Sequence, residues 1–433
     1  MVFPAANPPD FDRLIQSDRV HRQVHRHLYT DPALFELEME RIFGGTWIYL
    51  GHDSEIPQPG SFVRRTMGRR PILLTRGRDG QIHGLFNRCT HRGTLLVTAE
   101  KGCSKRLTCP YHGWCFDLDG HLRNLPVADS YANPRKGSFH LGQLRVETYR
   151  GLIFGTLAAE PLELVNWLGA ALPWLDQHLN RHPNGTIRLL DSPVRLEFAG
   201  NWKLLWDNAA DGIHATFAHR SYNQLGHQAH TETVLARNPA NTPMVSQTLD
   251  HGHCVVDQRP GIPEGPWLTM RQLPTREALE GSLRVQHPPQ LLELATGNMV
   301  NLSLFPNLIL VGNQLMVVEP LAVDRTRITL YLAVVEDGPE EINLLRLRVD
   351  EDFVSFGTPD DLAIFERIQE GLGIPEEEWL DISRGDQAGD REDEWGRVTG
   401  SIASEAPIRA YWQEWKRLMR DPVPLRVRRA VGH

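Results

Sequence analysis

Short runs of hydrophobic residues dominate the first part of the chain, and longer amphipathic patterns follow. From about residue 47 to residue 157 the apolar runs are brief and are separated by turn-forming residues. The pairs Asp79-Gly80 and Asp119-Gly120 each stand between two such runs. Because tight hairpins need residues that tolerate positive φ angles, these pairs predict turns between antiparallel strands. This part of the sequence therefore predicts a small all-β domain.

After Pro161 the hydrophobic pattern lengthens. The segment WLGAALPWLDQHL has helical spacing, a helix-like stretch runs over residues 202–219, and strand-like runs lie near residues 302–321 and 328–335. A last helix is predicted over about residues 404–419. Strands and helices mixed in this way predict a larger α+β domain.

Composition narrows the classes of protein. The chain has 433 residues, of which 41% are hydrophobic and 23% charged, and its formal net charge is −8. These values are typical of a globular protein with two or three domains, and they give no basic surface for nucleic acid. The longest apolar stretch, residues 299–311, is broken by Asn301, Pro306 and Asn307, so no membrane span is predicted.

The cysteines suggest a compartment and a kind of chemistry. Five cysteines are too few for a disulfide scaffold. The first residues, MVFPAANPPD, lack the basic region and apolar core of a secretion signal. We therefore expect a cytoplasmic protein, in which cysteines more often hold metal or carry out redox chemistry.

The first informative motif is C-x-H-x17-C-x2-H, in the predicted β domain. Its members are Cys89, His91, Cys109 and His112. A tetrahedral zinc site is the structural alternative, although zinc fingers usually pair cysteine with cysteine and histidine with histidine. Here each half of the motif supplies one of each, as a Rieske [2Fe–2S] cluster requires. Gly93 and Gly113 would let the backbone approach the cluster, and Trp114 would shield it from water.

His214 and His219 form a second pattern, H-x4-H, in the predicted α+β domain. On an ideal helix the two side chains point about 140° apart, so they converge only if the helix ends or bulges between them. A chance pair is the alternative, because the chain has 19 histidines. An upstream electron donor needs a redox-active acceptor, however, and two histidines with one carboxylate are the ligands of non-haem Fe(II) sites. The carboxylates that the residues alone leave open are those of residues 350–352, Asp360, Asp361 and the acidic run after Glu376.

Over nearly its whole length the chain resembles the large (α) subunits of Rieske non-haem iron aromatic-ring-hydroxylating oxygenases. The motifs that carry the resemblance are WIYLGHDSEIPQPG at 47–60, NRCTHRG at 87–93, CPYHGW at 109–114, NWKLLWDNAADGIHATFAH at 201–219, LFPNLIL at 304–310, GTPDDLAIFERIQEG at 357–371 and WLDISRG at 379–385. The last stretch is most similar to the benzoate, anthranilate and terephthalate dioxygenase branch.

The resemblance implies a domain order. It gives an all-β Rieske domain over residues 45–160 and an α+β catalytic domain over residues 161–433. The catalytic domain would have the helix-grip, START-like arrangement of helices on an antiparallel sheet. Residues 1–44 would form a helical segment that packs on the catalytic domain.

The resemblance also implies roles for individual residues. It places mononuclear iron on His214, His219 and a carboxylate of the Asp360-Asp361 pair, for which we predict Asp361. Asp211 falls on the aspartate that links a Rieske histidine of one subunit to an iron histidine of its neighbour. A carboxylate in that place would fix both imidazole tautomers and join the two metal sites through hydrogen bonds.

Three further residues lie close to these ligands in sequence. Asn208 is expected near the iron, with packing or capping as the alternative role. Ile213 stands where the family usually has tyrosine, and Asp207 where glutamate is common. These two departures change the surroundings of the site and remove no ligand.

A substrate pocket is predicted in the same domain. Its apolar residues, suited to an aromatic ring, are Trp206, Phe217, Leu304, Phe305 and Leu310. Arg384 either pairs with a substrate carboxylate through a two-pronged contact or balances the acidic residues around it on the surface. The pattern favours a benzoate-type acid as substrate.

The implied function is the terminal oxygenase component of a multicomponent dioxygenase, with a [2Fe–2S] cluster and mononuclear Fe(II) as cofactors. It would use O2 and NAD(P)H-derived electrons to cis-dihydroxylate an aromatic ring. An NAD(P)H-dependent reductase, with or without a ferredoxin, would deliver the electrons, since no G-x-G-x-x-G motif lies between a strand and a helix. Head-to-tail contacts would form a trimer of α subunits, completed by three small β subunits as α3β3.

Three alternatives remain at this point. The same site can carry out monooxygenation, either ring hydroxylation or O- or N-demethylation. The chain could instead be an electron-transfer protein whose second domain binds a partner, without oxygenase activity. A zinc-stabilised structural module is the third.

Overall fold

The computed structural model describes residues 10–17, 22–131, 139–179, 186–220, 244–259, 300–336, 340–385 and 389–429. The chain divides into two compact units. The smaller unit comprises Glu38–Trp167, Thr186–Ser192 and Pro422–His433. The larger unit comprises Met1–Leu37, Leu168–Gly185 and Pro193–Asp421.

Helices lie mainly in the larger unit. The α-helices are α1 (Phe11–Leu14), α2 (His27–Thr30), α3 (Pro32–Arg41), α4 (Leu164–Leu168), α5 (Leu172–Leu179), α6 (Lys203–Ala209), α7 (His214–Ala218), α8 (Glu340–Asp352), α9 (Thr358–Gly371) and α10 (Ala406–Arg420). A π-helix, Phe353–Gly357, lies between α8 and α9. Short 3-10 helices are Asp53–Glu55, Ala128–Ser130, Gly169–Ala171 and Asp250–Gly252.

Strands occur in both units. They are β1 (Ile15–Ser17), β2 (Arg22–His25), β3 (Ile48–His52), β4 (Ser61–Met67), β5 (Arg70–Arg76), β6 (Ile82–Phe86), β7 (Lys101–Cys103), β8 (Leu107–Thr108), β9 (Cys115–Phe116), β10 (Leu122–Asn124), β11 (Gly142–Tyr149), β12 (Leu152–Thr156), β13 (Ile187–Leu189), β14 (Val194–Phe198), β15 (Val245–Thr248), β16 (Cys254–Asp257), β17 (Val300–Leu304), β18 (Leu308–Val311), β19 (Gln314–Ala322), β20 (Arg325–Val335), β21 (Trp379–Asp381), β22 (Arg391–Glu392), β23 (Val398–Ser401) and β24 (Arg428–Arg429).

Two antiparallel sheets form the smaller unit. One has the strand order β3-β12-β11-β6-β5-β4-β7, with β24 also paired to β11, and the other has the order β10-β9-β8. The hairpins β5–β6 and β9–β10 turn at the two Asp-Gly pairs, where Gly80 and Gly120 have φ angles of +80° and +86°. The prediction of a small β domain with hairpins at these pairs is confirmed.

The larger unit is built on one antiparallel sheet with helices. Its strands follow the order β20-β19-β18-β17-β16-β15-β23-β22, and β14 also pairs with β20. A small second sheet has the order β1-β2-β21. Strands β17, β18 and β20 fill the core with fully buried residues such as Leu302, Ile309 and Ile328. The predicted α+β class is confirmed.

Helix α10 anchors the end of the larger unit. Its Trp412 and Trp415 are fully buried and meet edge to face, with ring centroids 5.6 Å apart. Arg417 and Arg420 lie in its last turn, where positive charge complements the helix dipole. Among the helices that the structure describes, none is both long and apolar enough to cross a bilayer.

Candidate metal centres

Two loops of the smaller unit carry the C-x-H and C-x2-H halves of the first motif, and they share one backbone pattern. The N–H of Cys89 donates to the carbonyl of Thr94 (2.8 Å), and its own carbonyl accepts from Gly93 (3.0 Å). The loop of Cys109 repeats both bonds at the same spacing, with Gly113 donating to the cysteine carbonyl (3.1 Å). Gly93 and Gly113 have φ angles of +83° and +70°, a region that glycine occupies without strain.

The loops bring two thiols and two imidazoles together. Cys89 and Cys109 are both buried. The rings of His91 and His112 are 4.6 Å apart. His91 also stacks on Trp114 at 4.8 Å, with the planes 7° apart, so the tryptophan covers one imidazole face.

The donor set fits a Rieske cluster. Burial raises the pKa of the Cys89 thiol, while the backbone N–H groups of His91 and Arg92 lower it. Amide N–H groups aimed at sulfur in this way tune the potential of iron–sulfur clusters. The Nδ1 atom of His91 is buried and has no hydrogen-bond partner among the described residues, as a nitrogen reserved for a metal would.

A very short helix positions the second pair of histidines, in the larger unit. His214 is the first residue of α7, and His219 follows its last residue as the C-cap. Because the helix ends between them, the two side chains avoid the wide separation of an ideal helix, and their ring centroids lie 5.5 Å apart. The condition that the sequence set for convergence is therefore met.

Asp361, in the first turn of α9, completes this group. Its Oδ1 lies 3.4 Å from Nε2 of His219 and 3.8 Å from Nε2 of His214. One donor atom from each of the three residues lies within 4.8 Å of the others. Asp360 is more exposed and faces the other nitrogen of His219, with its Oδ2 3.7 Å from Nδ1.

Burial makes these three residues suitable ligands for a divalent cation. Oδ1 of Asp361 is buried and accepts no hydrogen bond from the described residues, an arrangement that a bound cation would satisfy. Burial raises the pKa of Asp361 to about 8, against a hydrogen bond from Asn208 that lowers it. Burial also lowers the pKa of His219 to about 4 and lowers that of His214, so both imidazoles are neutral and able to coordinate.

His214 has a defined tautomer. Its Nδ1 lies 2.8 Å from the carbonyl oxygen of Asp211, which can only accept, so Nδ1 carries the proton and Nε2 stays free toward Asp361. The Oδ1 of Asp211 accepts from the backbone N–H groups of Ile213 (2.6 Å) and His214 (3.2 Å). The Oδ2 of Asp211 pairs with Arg384 at 2.5 Å.

Sequence reasoning missed the partners of Asp207. Its two carboxylate oxygens accept hydrogen bonds from the hydroxyls of Tyr29 (2.7 Å) and Tyr411. Burial raises the pKa of Asp207 to about 7, although both hydroxyls and Lys203 lower it. The tyrosines lie near opposite ends of the larger unit's sequence, and no local pattern joins them to Asp207.

The predicted pocket residues divide into two groups. Trp206, Leu304, Phe305 and Leu310 are buried, and the rings of Trp206 and Phe305 meet at 5.2 Å. Phe217 is 70% exposed, so within this chain it does not share their apolar environment. The guanidinium of Arg384 forms ion pairs with two carboxylates of its own chain, those of Asp211 and Glu405.

Comparisons with known proteins match both units. Residues 46–149 match the family model of the Rieske [2Fe-2S] domain. Residues 189–421 match the family model described as ring hydroxylating alpha subunit (catalytic domain). The two matches enclose the C-x-H-x17-C-x2-H motif and the group of His214, His219 and Asp361, respectively.

Similar proteins extend over most of the chain. The large subunit of anthranilate 1,2-dioxygenase from Acinetobacter baylyi is 33% identical over 392 residues, which cover 85% of this chain and 81% of that protein. The large subunit of 2-halobenzoate 1,2-dioxygenase from Burkholderia cepacia is 30% identical over 402 residues, which cover 88% and 84%. The solved structure of naphthalene 1,2-dioxygenase with indole bound in the active site has a TM-score of 0.80 at 24% identity and covers 92% of each chain.

Proposed function

The chain belongs to the family of ring-hydroxylating oxygenase alpha subunits that carry a Rieske [2Fe–2S] domain, and on this basis we propose that it cis-dihydroxylates a benzoate-type aromatic carboxylate. The observation that carries the proposal is the convergence of His214, His219 and Asp361, whose donor atoms lie within 4.8 Å of one another. Two histidines and one carboxylate leave open coordination positions on Fe(II), which oxygen-activating sites require.

The proposed reaction has a simple balance. The substrate ring gains both atoms of O2, and two electrons and two protons complete the cis-dihydrodiol. When bound, the [2Fe–2S] cluster relays single electrons and the mononuclear Fe(II) activates O2.

The chain's own residues hold and orient these groups. Cys89, Cys109, His91 and His112 would bind the cluster, and His214, His219 and Asp361 would bind the mononuclear iron. We assign Asn208 to holding the Asp361 carboxylate, because a hydrogen bond joins their side chains. Asp211 would join His214 to a Rieske histidine of a neighbouring subunit. Its bond to Nδ1 of His214 is made by the backbone carbonyl and not, as the resemblance implied, by the carboxylate, whose oxygens accept from Arg384 and from backbone N–H groups.

The substrate assignment rests on relatives and on the pocket. Two similar dioxygenases are named for anthranilate and 2-halobenzoate, and both compounds are aromatic carboxylates. The buried group of Trp206, Leu304, Phe305 and Leu310 offers an apolar surface for the ring. Recognition of the carboxylate is not assigned to Arg384, whose guanidinium is already paired.

The proposal includes partners and an assembly. Electrons would come from NAD(P)H through a separate reductase, with or without a ferredoxin, to the domain over residues 45–160, and the domain over 161–433 would use them. Three alpha subunits would form a ring, completed by three beta subunits. The exposed thiol of Cys103, which forms no disulfide, supports a reducing cytoplasmic location.

Product analysis tests the proposed function. The purified alpha subunit, co-expressed with a reductase of this class, is supplied with NADH and with benzoates or with neutral arenes. We expect substrate-dependent O2 uptake that favours the benzoates and yields a cis-dihydrodiol. A monohydroxylated or demethylated product would show that the enzyme is a monooxygenase and not a dioxygenase. Oxidation of NADH without O2 uptake would show that the chain transfers electrons and has no oxygenase activity.

A further inference from the structure

Arg384 is bound on several sides by its own chain. Its Nη2 lies 2.5 Å from Oδ2 of Asp211 and 3.4 Å from Oε1 of Glu405. Its Nε donates to the carbonyl of Ala403 (2.9 Å), and its backbone N–H donates to Oε2 of Glu405 (2.9 Å). The side chain is therefore held beside Asp211 by its contacts with Glu405 and with the carbonyl of Ala403.

The backbone of Arg384 is fixed as well. Its carbonyl accepts from the N–H of Glu405 (2.9 Å) and from Nη1 of Arg409 (3.1 Å). These bonds tie the turn after β21 to the beginning of α10. To reach a substrate, the guanidinium would have to break its pairs with both carboxylates.

Asp211 passes this restraint to a candidate iron ligand. One carboxylate oxygen faces Arg384, and the other accepts from the backbone N–H groups that open the turn into α7. The carbonyl of Asp211 accepts the Nδ1 proton of His214. Arg384, Asp211 and His214 are thus connected by direct contacts.

Charge makes the arginine necessary in this place. The side chains of Asp211 and Glu405 are only 17% and 13% exposed, and Arg384 contacts both. Burial raises the pKa of Glu405, and Arg384 lowers it. Without the guanidinium, the two carboxylates would face each other with little water to screen them, and Asp211 would move away from its present position.

We propose that Arg384 is a positioning residue of the iron site, which holds Asp211 and, through it, the orientation of His214. The inference deepens the proposed function and rests on it in one respect, namely that His214 binds iron. The sequence left two roles open for Arg384, pairing with a substrate carboxylate or balancing acidic residues on the surface. The inference gives it a third role, support of an iron ligand.

Metal binding provides a test that does not depend on turnover. Arg384→Gln removes the charge, Arg384→Lys keeps it without the planar fork, and Arg327→Gln is the matched control. Arg327 has similar exposure, 36% against 39%, and pairs with Glu197 on the surface of the same unit. Fe(II) affinity of the second site is measured by chelator competition, and the visible spectrum of Co(II) placed there reports ligand geometry.

We expect Arg384→Gln to lower Fe(II) affinity by about 10- to 100-fold, the usual cost of removing a partner behind a metal ligand, and to alter the Co(II) spectrum. Arg384→Lys should lose less, and Arg327→Gln should match the wild type. The Rieske absorption of the same samples shows whether each variant is folded. If Arg384→Gln lacks that absorption, the comparison passes to Arg384→Lys, for which reduced affinity supports the proposal and wild-type affinity overturns it.

Two results separate this inference from the proposed function. Wild-type Fe(II) affinity and Co(II) spectrum in Arg384→Gln, with KM raised only for aromatic carboxylates, would overturn the positioning role and return Arg384 to the substrate. A wild-type protein with an intact Rieske spectrum and no Fe(II) binding at the second site would overturn the proposed function, and this assignment with it.

Discussion

Nε2 of His219 lies 3.4 Å from Oδ1 of Asp361, and that carboxylate oxygen is buried without a hydrogen bond from any described residue. A buried carboxylate oxygen between two neutral imidazoles is costly unless a cation satisfies it. The π-helix before α9 fits this view, because such bulges occur frequently at functional sites.

Asp361, rather than its neighbour, should be required for iron. Asp361→Asn keeps the shape of the side chain and removes its charge. Loss of a residue that only hydrogen-bonds to a metal ligand can lower metal affinity by roughly 100-fold, so loss of the ligand itself should lower Fe(II) affinity by at least that much. Asp360→Asn is the matched control and should retain iron. Metal analysis of both variants, with the Rieske absorption as a check on folding, decides the matter. Iron loss in Asp360→Asn alone would reverse the assignment.

Iron binding should release a proton from Asp361. In the apoprotein, burial raises the pKa of this carboxyl to about 8, and the pKa of His219 is lowered to about 4. At pH 6 to 8 the His219 imidazole is therefore neutral and the Asp361 carboxyl holds a proton that Fe(II) must displace. Affinity should rise by about tenfold per pH unit up to about pH 8 and then level off. A flat profile in anaerobic titrations from pH 6 to 9 would exclude this account.

Asp207 should make the protein less stable as pH rises toward neutrality. Its pKa is raised from 3.8 to about 7 in the folded chain, so the folded state binds more protons than the unfolded state between these values. Stability from this group is complete below about pH 4 and declines up to about pH 7. The thermal midpoint of wild type relative to Asp207→Asn should fall over that range, and a constant difference would refute the assignment.

The glycine after His112 should matter for the cluster and not only for stability. Gly113→Ala forces alanine into a φ of +70°, which costs roughly 1–2 kcal/mol. Gly80→Ala carries the same kind of strain, at +80°, in the β5–β6 hairpin, and neither site is crowded. We expect similar losses in thermal midpoint and a lower iron–sulfur content in Gly113→Ala only. Equal cluster content in both variants would contradict a role for the loop geometry.

Local chemistry made part of this architecture predictable. The Asp-Gly hairpins depend on residues close in sequence, so turn chemistry predicts them. For His214 and His219, helical geometry gave only a condition for convergence, that the helix end or bulge between them, and the resemblance to a family supplied the pairing. The tyrosine partners of Asp207 and the pairing of Asp211 with Arg384 join distant parts of the chain. Such contacts are set by the packing of the whole unit, and no periodicity in the sequence encodes them.

The pocket shows the same limit. Apolar character alone grouped Phe217 with Trp206 and Phe305, yet Phe217 is exposed and the other two are in contact. Hydrophobicity predicts that a side chain prefers burial. It does not predict which face of a five-residue helix such as α7 packs against the rest of the unit.

Single-turnover oxygenation with 18O2 tests dioxygenation at the iron site most directly. The alpha subunit, loaded with both metal groups and chemically reduced, is mixed with 18O2 and an aromatic carboxylate, and the product is analysed by mass spectrometry. We expect a cis-dihydrodiol that contains two 18O atoms, and no product from His214→Ala. A product with one 18O atom or none, or one that His214→Ala still forms, would contradict dioxygenation at this site.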